Sequence, residues 1–567
     1  MRFVIPLLIS GVSDLSFYKS QSAALVSDSR LAGFGCISLH SILVTLVVAM
    51  SADKSLSTIE KAADAPTLTD SDSSNIHEDK DAGVIQDVDF ITGNSLYAKV
   101  QRLAARFQME VRGIERVPEE EQTDNSLWNA ASMWFAANMV VSTFSLGTLG
   151  IGIFGMSFWD SVLTIIFFNI IGIIPVAFYS TFGPRFGLRQ MILSRFWFGF
   201  HGVKIFAVLN CIACVGWSAV NTVVAAQLLH TVNNGSLPPW GGIIVVSFGT
   251  VAITLFGYKA VHIYEKWAWI PTFIIFLIVI ARFKISGNFT FGTLESGRIE
   301  AGNVLSFGAA VFGFATGWAS YASDYVVYQP KQTSRIKIFL AVISGLGFPL
   351  LFCEILGAAC MTGTLTSTAY ADNYDANGIG GLFYAILVPD SLHGFGQFCL
   401  VLMALSTIAN NCPNMYSVAL SVQTIDRNLA KIPRLIWTII ATGVFLAISI
   451  PAYYSFATFM DNFMNIIGYW LAIYEGISLP EHFLFKRGFS GYNVDDYDNP
   501  SKLPLGLSAC FAFCCGVAGA VLGMYQVWWT GPIAALIPGD VGFELSFGFA
   551  IVTYLVARPF ELRYFGR

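Results

Sequence analysis

Three asparagines and a proline interrupt an apolar stretch in the second half of the chain, in the sequence STIANNCPNMYS at residues 406–417. An asparagine amide carries both a hydrogen-bond donor and an acceptor, so it can bind the edge of a polar ring without burying a charge. Pro413 lacks a backbone N–H, which predicts a local break in a helix. We therefore expect Asn411 and Asn414 to face a neutral ligand and Asn410 to turn away toward a neighbouring helix.

Residues of related chemistry occur halfway along three other apolar segments. Trp217 and Asn221 are four residues apart, hence on one face of a helix. Trp318 lies in the sequence ATGWASYASDY, and Ser142 lies in WFAANMVVSTFSLG. Tryptophan is usually found at the membrane interface, so two near the middle of a membrane indicate a binding slot. For each residue taken alone, helix packing is the alternative explanation.

Two acidic residues are candidates for carrying a proton through the membrane. Glu354 lies well inside an apolar segment, and Glu265 lies at the start of another. Intramembrane carboxylates are costly and usually functional. The neighbouring Lys266 leaves an ion pair or an interfacial anchor as the alternative role for Glu265. The sequence shows no nucleophile–base arrangement and no metal-ligand cluster, which predicts neither an enzyme nor a metal or cofactor site.

The composition identifies the environment of these residues. Of 567 residues, 55% are hydrophobic and 12% are charged, and the mean hydropathy is +0.62. Soluble chains carry about 25% charged residues. The net charge of −5 gives no sign of nucleic-acid binding. The chain is therefore expected to be a polytopic protein whose main surroundings are the lipid bilayer.

A helix needs about 20 apolar residues to cross the hydrocarbon core. Twelve segments qualify, which predicts an all-α protein with 12 transmembrane helices at about 128–150, 157–180, 203–230, 240–258, 266–284, 304–328, 338–361, 393–424, 435–453, 456–479, 503–524 and 540–557. Glycine and serine interrupt the first and sixth segments. If segments 1–5 and 6–10 form two halves of opposite orientation, these interruptions correspond, which is the strongest sequence indication of a transporter binding site.

Basic residues orient the predicted helices. They concentrate in alternate loops, among them Arg185, Lys331 and Arg335, whereas the opposite loop at 362–392 has none. The positive-inside rule therefore predicts cytoplasmic N- and C-termini. The two glycosylation sequons, at Asn234 and Asn288, both fall on the outer face in this arrangement.

The N-terminal region differs in composition from the rest of the chain. Residues 51–90 are polar and acidic, which predicts a disordered tail. Residues 1–50 contain apolar stretches for which a signal-like segment and a thirteenth span are the alternatives, but we expect the chain made in cells to start at Met50. We expect an amphipathic helix at residues 95–117 to lie along the inner leaflet. The predicted divisions are an uncertain N-terminal region 1–90, a cytoplasmic amphipathic segment 91–127, a transport core 128–479, a cytoplasmic loop 480–502, two further helices in 503–557 and a cytoplasmic tail 558–567.

Several long motifs carry a resemblance to a known family. The sequences RGIERVPEEEQTD, STFGPRFGLRQMILSRFWFG, ATGWASYASDY and NNCPNMYS resemble the fungal purine–cytosine permeases, a branch of the nucleobase–cation symporters, from about residue 110 to the C-terminus. The resemblance implies a LeuT-like fold of two inverted five-helix repeats plus two extra helices, which works by alternating access. It also implies the substrate contacts Ser142, Trp217, Asn221, Trp318, Asn411 and Asn414.

The function implied by the resemblance is import of cytosine, adenine, guanine and hypoxanthine across the plasma membrane. Sodium-coupled relatives place hydroxyl groups where this chain has Ile408 and Ala409. That difference favours a proton as the coupling ion, with Glu265 or Glu354 as its carrier. The alternatives are import of another planar heterocycle, such as a vitamin B6-type pyridine, and a nutrient receptor that does not transport. The sequence carries no indication of the oligomeric state.

Overall fold

A computed structural model describes residues 113–232, 235–255, 258–294 and 296–567, without the side chains of residues 258–262. The predicted disordered tail, the start at Met50 and the sequon at Asn234 lie outside the described residues, as does most of the predicted amphipathic helix.

The described residues form a helical bundle. Its α-helices are α1 (Leu127–Asn138), α2 (Val141–Gly152), α3 (Phe158–Ser180), α4 (Phe182–Phe186), α5 (Gln190–Leu193), α6 (Arg195–Val232), α7 (Pro239–Thr254), α8 (Tyr258–Ser286), α9 (Arg298–Thr316), α10 (Arg335–Met361), α11 (Thr368–Leu387), α12 (Gly394–Ile425), α13 (Arg427–Ala430), α14 (Arg434–Ala452), α15 (Phe456–Pro480), α16 (Leu507–Gly523), α17 (Pro532–Leu536) and α18 (Gly542–Phe565). A two-stranded antiparallel hairpin, β1 (Tyr525–Gln526) and β2 (Trp529–Thr530), precedes α17.

The helices match the twelve predicted spans. Among the described residues, eight helical stretches are long and apolar enough to cross a membrane, and α1 with α2 forms a ninth that is bent by 51°. One of these stretches, Arg434–Phe485, contains two predicted spans, α14 and α15, which are joined by a single 3₁₀ turn. The shorter apolar helices α7 and α16 complete the set. The loop predicted at 362–392 contains α11, which bends at Gly378.

The predicted interruptions of the first and sixth spans are confirmed. Between α1 and α2 the backbone leaves the helical region, and Val140 is extended with φ −137° and ψ 164°. After α9 the chain continues as a 3₁₀ helix, Gly317–Tyr325, in which Tyr321 is also non-helical. Two discontinuous helices therefore cross the middle of the bundle.

The break predicted at Pro413 is wrong. Helix α12 runs from Gly394 to Ile425 with Pro413 inside it and remains a single helix. A proline removes one intrahelical hydrogen bond, but neighbouring helices often compensate in a membrane protein. The Tyr325 hydroxyl also contacts this part of α12, because it donates to the Pro413 carbonyl oxygen at 2.7 Å.

Small residues allow α2 and α10 to approach at backbone distance. A Cβ atom added at Gly147 would overlap the Glu354 carbonyl, and one at Gly357 would overlap the Phe144 carbonyl. Close packing through glycine is typical of membrane helices, where burial from water does not drive association. The second half of the first span is therefore tightly joined to the seventh span.

Candidate substrate-binding site

The candidate site lies where the two discontinuous helices meet α6 and α12. Ser142 follows the first break, and its hydroxyl donates to Oδ1 of Asn221 on α6. The Asn221 amide then donates to Oδ1 of Asn410 at 2.8 Å and to Oδ1 of Asn411 at 2.9 Å, both on α12. All four side chains are fully buried. Three elements that are distant in the sequence thus share one polar network.

The structure places Asn410 inside this network, so the prediction that it faces away from Asn414 is wrong. Because α12 is not broken at Pro413, the two asparagines stay one turn apart on one face. The Asn414 amide donates to the carbonyl oxygen and to Oδ1 of Asn410, at 2.9 and 3.2 Å. Asn410 also reaches a neighbouring helix, because its amide donates to the Ala137 carbonyl at 2.5 Å. This contact ties α12 to the end of α1, beside the break.

The two remaining α12 amides have further partners. Asn411 donates to the hydroxyl oxygens of Thr222 and Thr250, at 3.2 and 3.4 Å. The Tyr321 hydroxyl, from the interrupted part of the sixth span, donates to Oδ1 of Asn414 at 2.9 Å. A buried polar group without a partner is destabilising, and here the side chains satisfy one another.

Both predicted tryptophans lie next to Gly317. A Cβ atom added at Gly317 would come within 3.1 Å of the Trp217 ring, and Trp318 is the next residue in the chain. The Trp318 ring N–H donates to Oδ1 of Asn138 at 3.1 Å. The ring nitrogen Nε1 of Trp217 is buried and has no hydrogen-bond partner among the described residues. Trp217 is therefore the one of the two that offers a free donor.

Other aromatic rings hold these tryptophans edge-on. Trp134 meets Trp318 with ring centroids 5.4 Å apart and an interplanar angle of 85°. Phe314 meets Trp217 at 4.7 Å and 84°. Edge-to-face contact is a favoured geometry for aromatic pairs and fixes the orientation of both rings. The indole planes are thus positioned by packing within the bundle.

Glu265 is fully buried, and neither carboxylate oxygen has a hydrogen-bond partner among the described residues. The hydroxyl of the neighbouring Tyr264 donates to the Leu405 carbonyl oxygen on α12 at 3.5 Å. Among the described residues Glu265 forms no ion pair with Lys266, whose ammonium group instead lies 5.7 Å from the Trp267 ring centroid. The carboxyl group therefore points into the bundle beside the helix that carries the asparagines.

Glu354 and Glu475 carry two of the other carboxyl groups that are buried among the described residues. Oε2 of Glu354 accepts a hydrogen bond from the Asn169 amide at 2.7 Å. Glu475 on α15 was not identified from the sequence, and its Oε1 accepts from the hydroxyl of Thr316. Thr316 is the last residue of α9 before the break at Gly317. None of the three carboxylates forms a salt bridge within the part of the chain that the structure describes.

Sequence reasoning also missed Asn138 and Tyr321 as members of the site. Asn138 is the last residue of α1 before the first break, and Tyr321 is the non-helical residue within the second. A polar residue next to a predicted helix interruption is the signal that would have found both. Over the described ranges, no group of three or more His, Cys, Asp or Glu side chains is arranged to hold a metal ion.

Comparison with known proteins gives a family for the chain. The family described as permease for cytosine/purines, uracil, thiamine, allantoin matches residues 116–534. A purine-cytosine permease of Emericella nidulans is 54% identical over 487 residues, which cover 86% of this chain and 95% of that protein. A purine-cytosine permease of Saccharomyces cerevisiae is also 54% identical, with coverage of 82% and 88%. A vitamin B6 transporter of the same yeast is 32% identical, with coverage of 81% and 88%.

Solved structures give the fold. Mhp1, a nucleobase-cation-symport-1 family transporter in a closed conformation with bromovinylhydantoin bound, matches with a TM-score of 0.61 at 16% identity, over 81% of this chain and 96% of that one. An inward-facing conformation of Mhp1 matches with a TM-score of 0.58. This likeness shows that the chain has the all-α, LeuT-like fold. Together with the sequence matches, it shows that the chain belongs to the fungal purine–cytosine permeases of the nucleobase–cation-symport-1 family and is a multi-pass transporter rather than an enzyme.

Proposed function

We propose that this transporter imports cytosine and the purine bases adenine, guanine and hypoxanthine by proton symport with alternating access. The observation that carries the proposal is the amide network of Asn221, Asn410, Asn411 and Asn414, which lies beside Trp217 and Trp318 where two helices are interrupted. The relatives that match over most of their length are named purine-cytosine permeases, which supports the same substrate class.

The chemistry of these side chains suits a nucleobase. A nucleobase is a flat, neutral ring with donors and acceptors along its edge, and stacking on an aromatic side chain contributes about 1–3 kcal/mol. Amides can pair with such an edge in both directions, as asparagine does with adenine. The residues proposed to contact the substrate are Ser142, Trp217, Asn221, Trp318, Asn411 and Asn414. The ring N–H of Trp217, which has no partner among the described residues, provides an additional hydrogen-bond donor.

A proton is the proposed coupling ion, and no other cofactor is required. Ile408 and Ala409 supply no hydroxyl ligands for sodium. Glu265 is the proposed carrier and Glu354 is the alternative carrier, and Glu475 is another buried carboxyl group that contacts the interrupted sixth span. Glu265 is the strongest of these, because its oxygens lack partners among the described residues and its helix α8 packs against α12, which carries the site asparagines.

A planar pyridine is the alternative substrate class. The 32% identity to a vitamin B6 transporter supports it, and the same stacking and amide groups would fit such a ring. The plasma membrane is the proposed location, because the proposed function is import into the cell. Both termini are proposed to be cytoplasmic, because the loops that this orientation puts inside carry most of the basic residues.

Uptake of radiolabelled cytosine in a permease-deficient yeast tests the proposal. We expect uptake to fall severalfold when the external pH is raised or a protonophore is added, and we expect unlabelled adenine, guanine and hypoxanthine to compete. Competition by pyridoxine alone would favour the alternative substrate. Sodium dependence without pH dependence would contradict proton coupling, and binding without uptake would indicate a receptor.

A further inference from the structure

We infer that the chain carries a binding site for the phosphate-bearing head group of an anionic phospholipid, in a cavity between the second and seventh spans and separate from the substrate site. The cavity has a volume of about 280 Å³. Its lining comes from the end of the second span, around Thr181–Arg185, and from the residues that lead into α10, Lys331–Ile336.

The described charged residues that line this cavity are all basic. They are Arg185, Lys331 and Arg335, and no acidic residue of the described ranges lines it. Lys331 is already paired with Glu119. Arg185 and Arg335 form no salt bridge with any described residue, and the Arg335 guanidinium lies 4.5 Å from the Phe489 ring centroid. Two cations therefore face one cavity without a counter-ion from the described part of the chain.

The backbone adds to the preference for an anion. Helix α10 begins at Arg335, and the side chain of its N-cap, Ser334, makes no capping hydrogen bond. The amide groups of the first turn of this 27-residue helix are thus not capped by that side chain. The N-terminus of a helix carries a partial positive charge, and its N–H groups bind phosphate well. The hydroxyl groups of Thr181, Thr333 and Ser334 also line the cavity.

An exposed apolar strip indicates a lipid rather than a soluble phosphate. Ile336, at the rim of the cavity, is 71% exposed, and Leu340, one turn further along α10, is 54% exposed. Phe348, further along α10, is 49% exposed. If Arg185 and Arg335 hold the phosphate of a lipid, the acyl chains of that lipid would lie along the exposed apolar residues of α10. Basic pockets between membrane helices on the cytoplasmic side bind anionic head groups, which agrees with the proposed orientation.

Lipid binding to the purified full-length protein tests the inference. In nanodiscs that contain phosphatidylcholine with a small fraction of phosphatidylserine, we expect the protein to retain phosphatidylserine selectively in native mass spectrometry. Arg185→Gln and Arg335→Gln should each weaken this retention about tenfold or more, since each removes a charge-assisted hydrogen bond. Arg185 is exposed and unpaired among the described residues, so its variant is expected to fold normally.

Lys337→Gln is the matched control. Lys337 is exposed and lies two residues beyond Arg335 on the same helix, but it does not line the cavity. Attraction to the membrane surface alone would give all three variants a similar loss of about fivefold, and that result would overturn the inference. Equal retention of phosphatidylcholine would overturn it as well. Equally tight binding of a soluble inositol phosphate in detergent would show that the ligand is not a lipid. Because no uptake is measured, these outcomes are independent of the proposed transport.

Discussion

Replacing Asn414 with alanine is expected to weaken the apparent affinity for cytosine about tenfold to a hundredfold while the abundance at the cell surface barely changes. Asn414 bonds with Asn410 within its own helix and with Tyr321 from the interrupted sixth span. Loss of its amide leaves substrate groups unpaired in a buried site, an effect of about 1–3 kcal/mol, which corresponds to that range of affinities. Competition for cytosine uptake, together with surface labelling, measures both quantities.

Asn410→Ala is the matched comparison, because the residue lies one turn away on the same helix. Asn410 accepts from Asn221 and Asn414 and donates to the Ala137 carbonyl. Removal of the Asn410 side chain leaves the two amides and the Ala137 carbonyl without this partner, at the point where α12 contacts the end of α1 beside the first break. We therefore expect less folded protein at the surface. Normal affinity with poor delivery for Asn414→Ala, and the reverse for Asn410→Ala, would mean that Asn414 is a packing residue.

Glu265→Gln is expected to abolish the dependence of cytosine uptake on external pH. Glutamine keeps the size of a protonated carboxyl group but cannot release a proton. Because the Glu265 oxygens have no partner among the described residues, its charged form would be strongly disfavoured in the bundle. We therefore expect exchange of labelled for unlabelled cytosine to continue in the variant, whereas accumulation against a gradient stops.

Glu354→Gln and Glu475→Gln are the controls for this prediction. Each carboxylate accepts a hydrogen bond from a neutral side chain, Asn169 or Thr316, and a glutamine carbonyl can accept the same bond. Both variants should keep the pH dependence of the wild-type protein. If Glu265→Gln retains it and Glu354→Gln loses it, the coupling proton is carried by Glu354 instead.

The fold was largely predictable from the sequence. Length and apolarity define most spans, and the glycine- and serine-rich stretches around Ser142 and Trp318 mark both interruptions correctly. The helix α11 was not predicted, because its sequence does not show the pattern of a membrane span and turn residues follow it. The spacing of Trp217 and Asn221 also placed both on one helix face, as expected from helical periodicity.

The partners of the site residues could not be predicted in the same way. Asn410 bonds to Asn221, which is 189 residues away, and to Ala137, which is 273 residues away. Local sequence rules predicted a helix break at Pro413 and an Asn410 side chain that faces away from the site. Packing against neighbouring helices instead keeps α12 continuous. Glu475 was missed for a related reason, since its importance depends on its contact with Thr316 on another span.

The mutual pairing of the site amides has a consequence for selectivity. A nucleobase that enters must exchange bonds with Asn221, Asn411 and Asn414 one for one, so the edge contacts add little net enthalpy. The affinity for the base then comes mainly from stacking on the indole rings, whereas the hydrogen bonds to the edge of the base determine which bases are accepted. A base that lacks one complementary group leaves a buried amide without a hydrogen-bond partner, and sites of this kind discriminate by about 10⁴-fold or more. Methylation of an edge nitrogen should therefore exclude a base much more strongly than substitution that only alters ring polarisability.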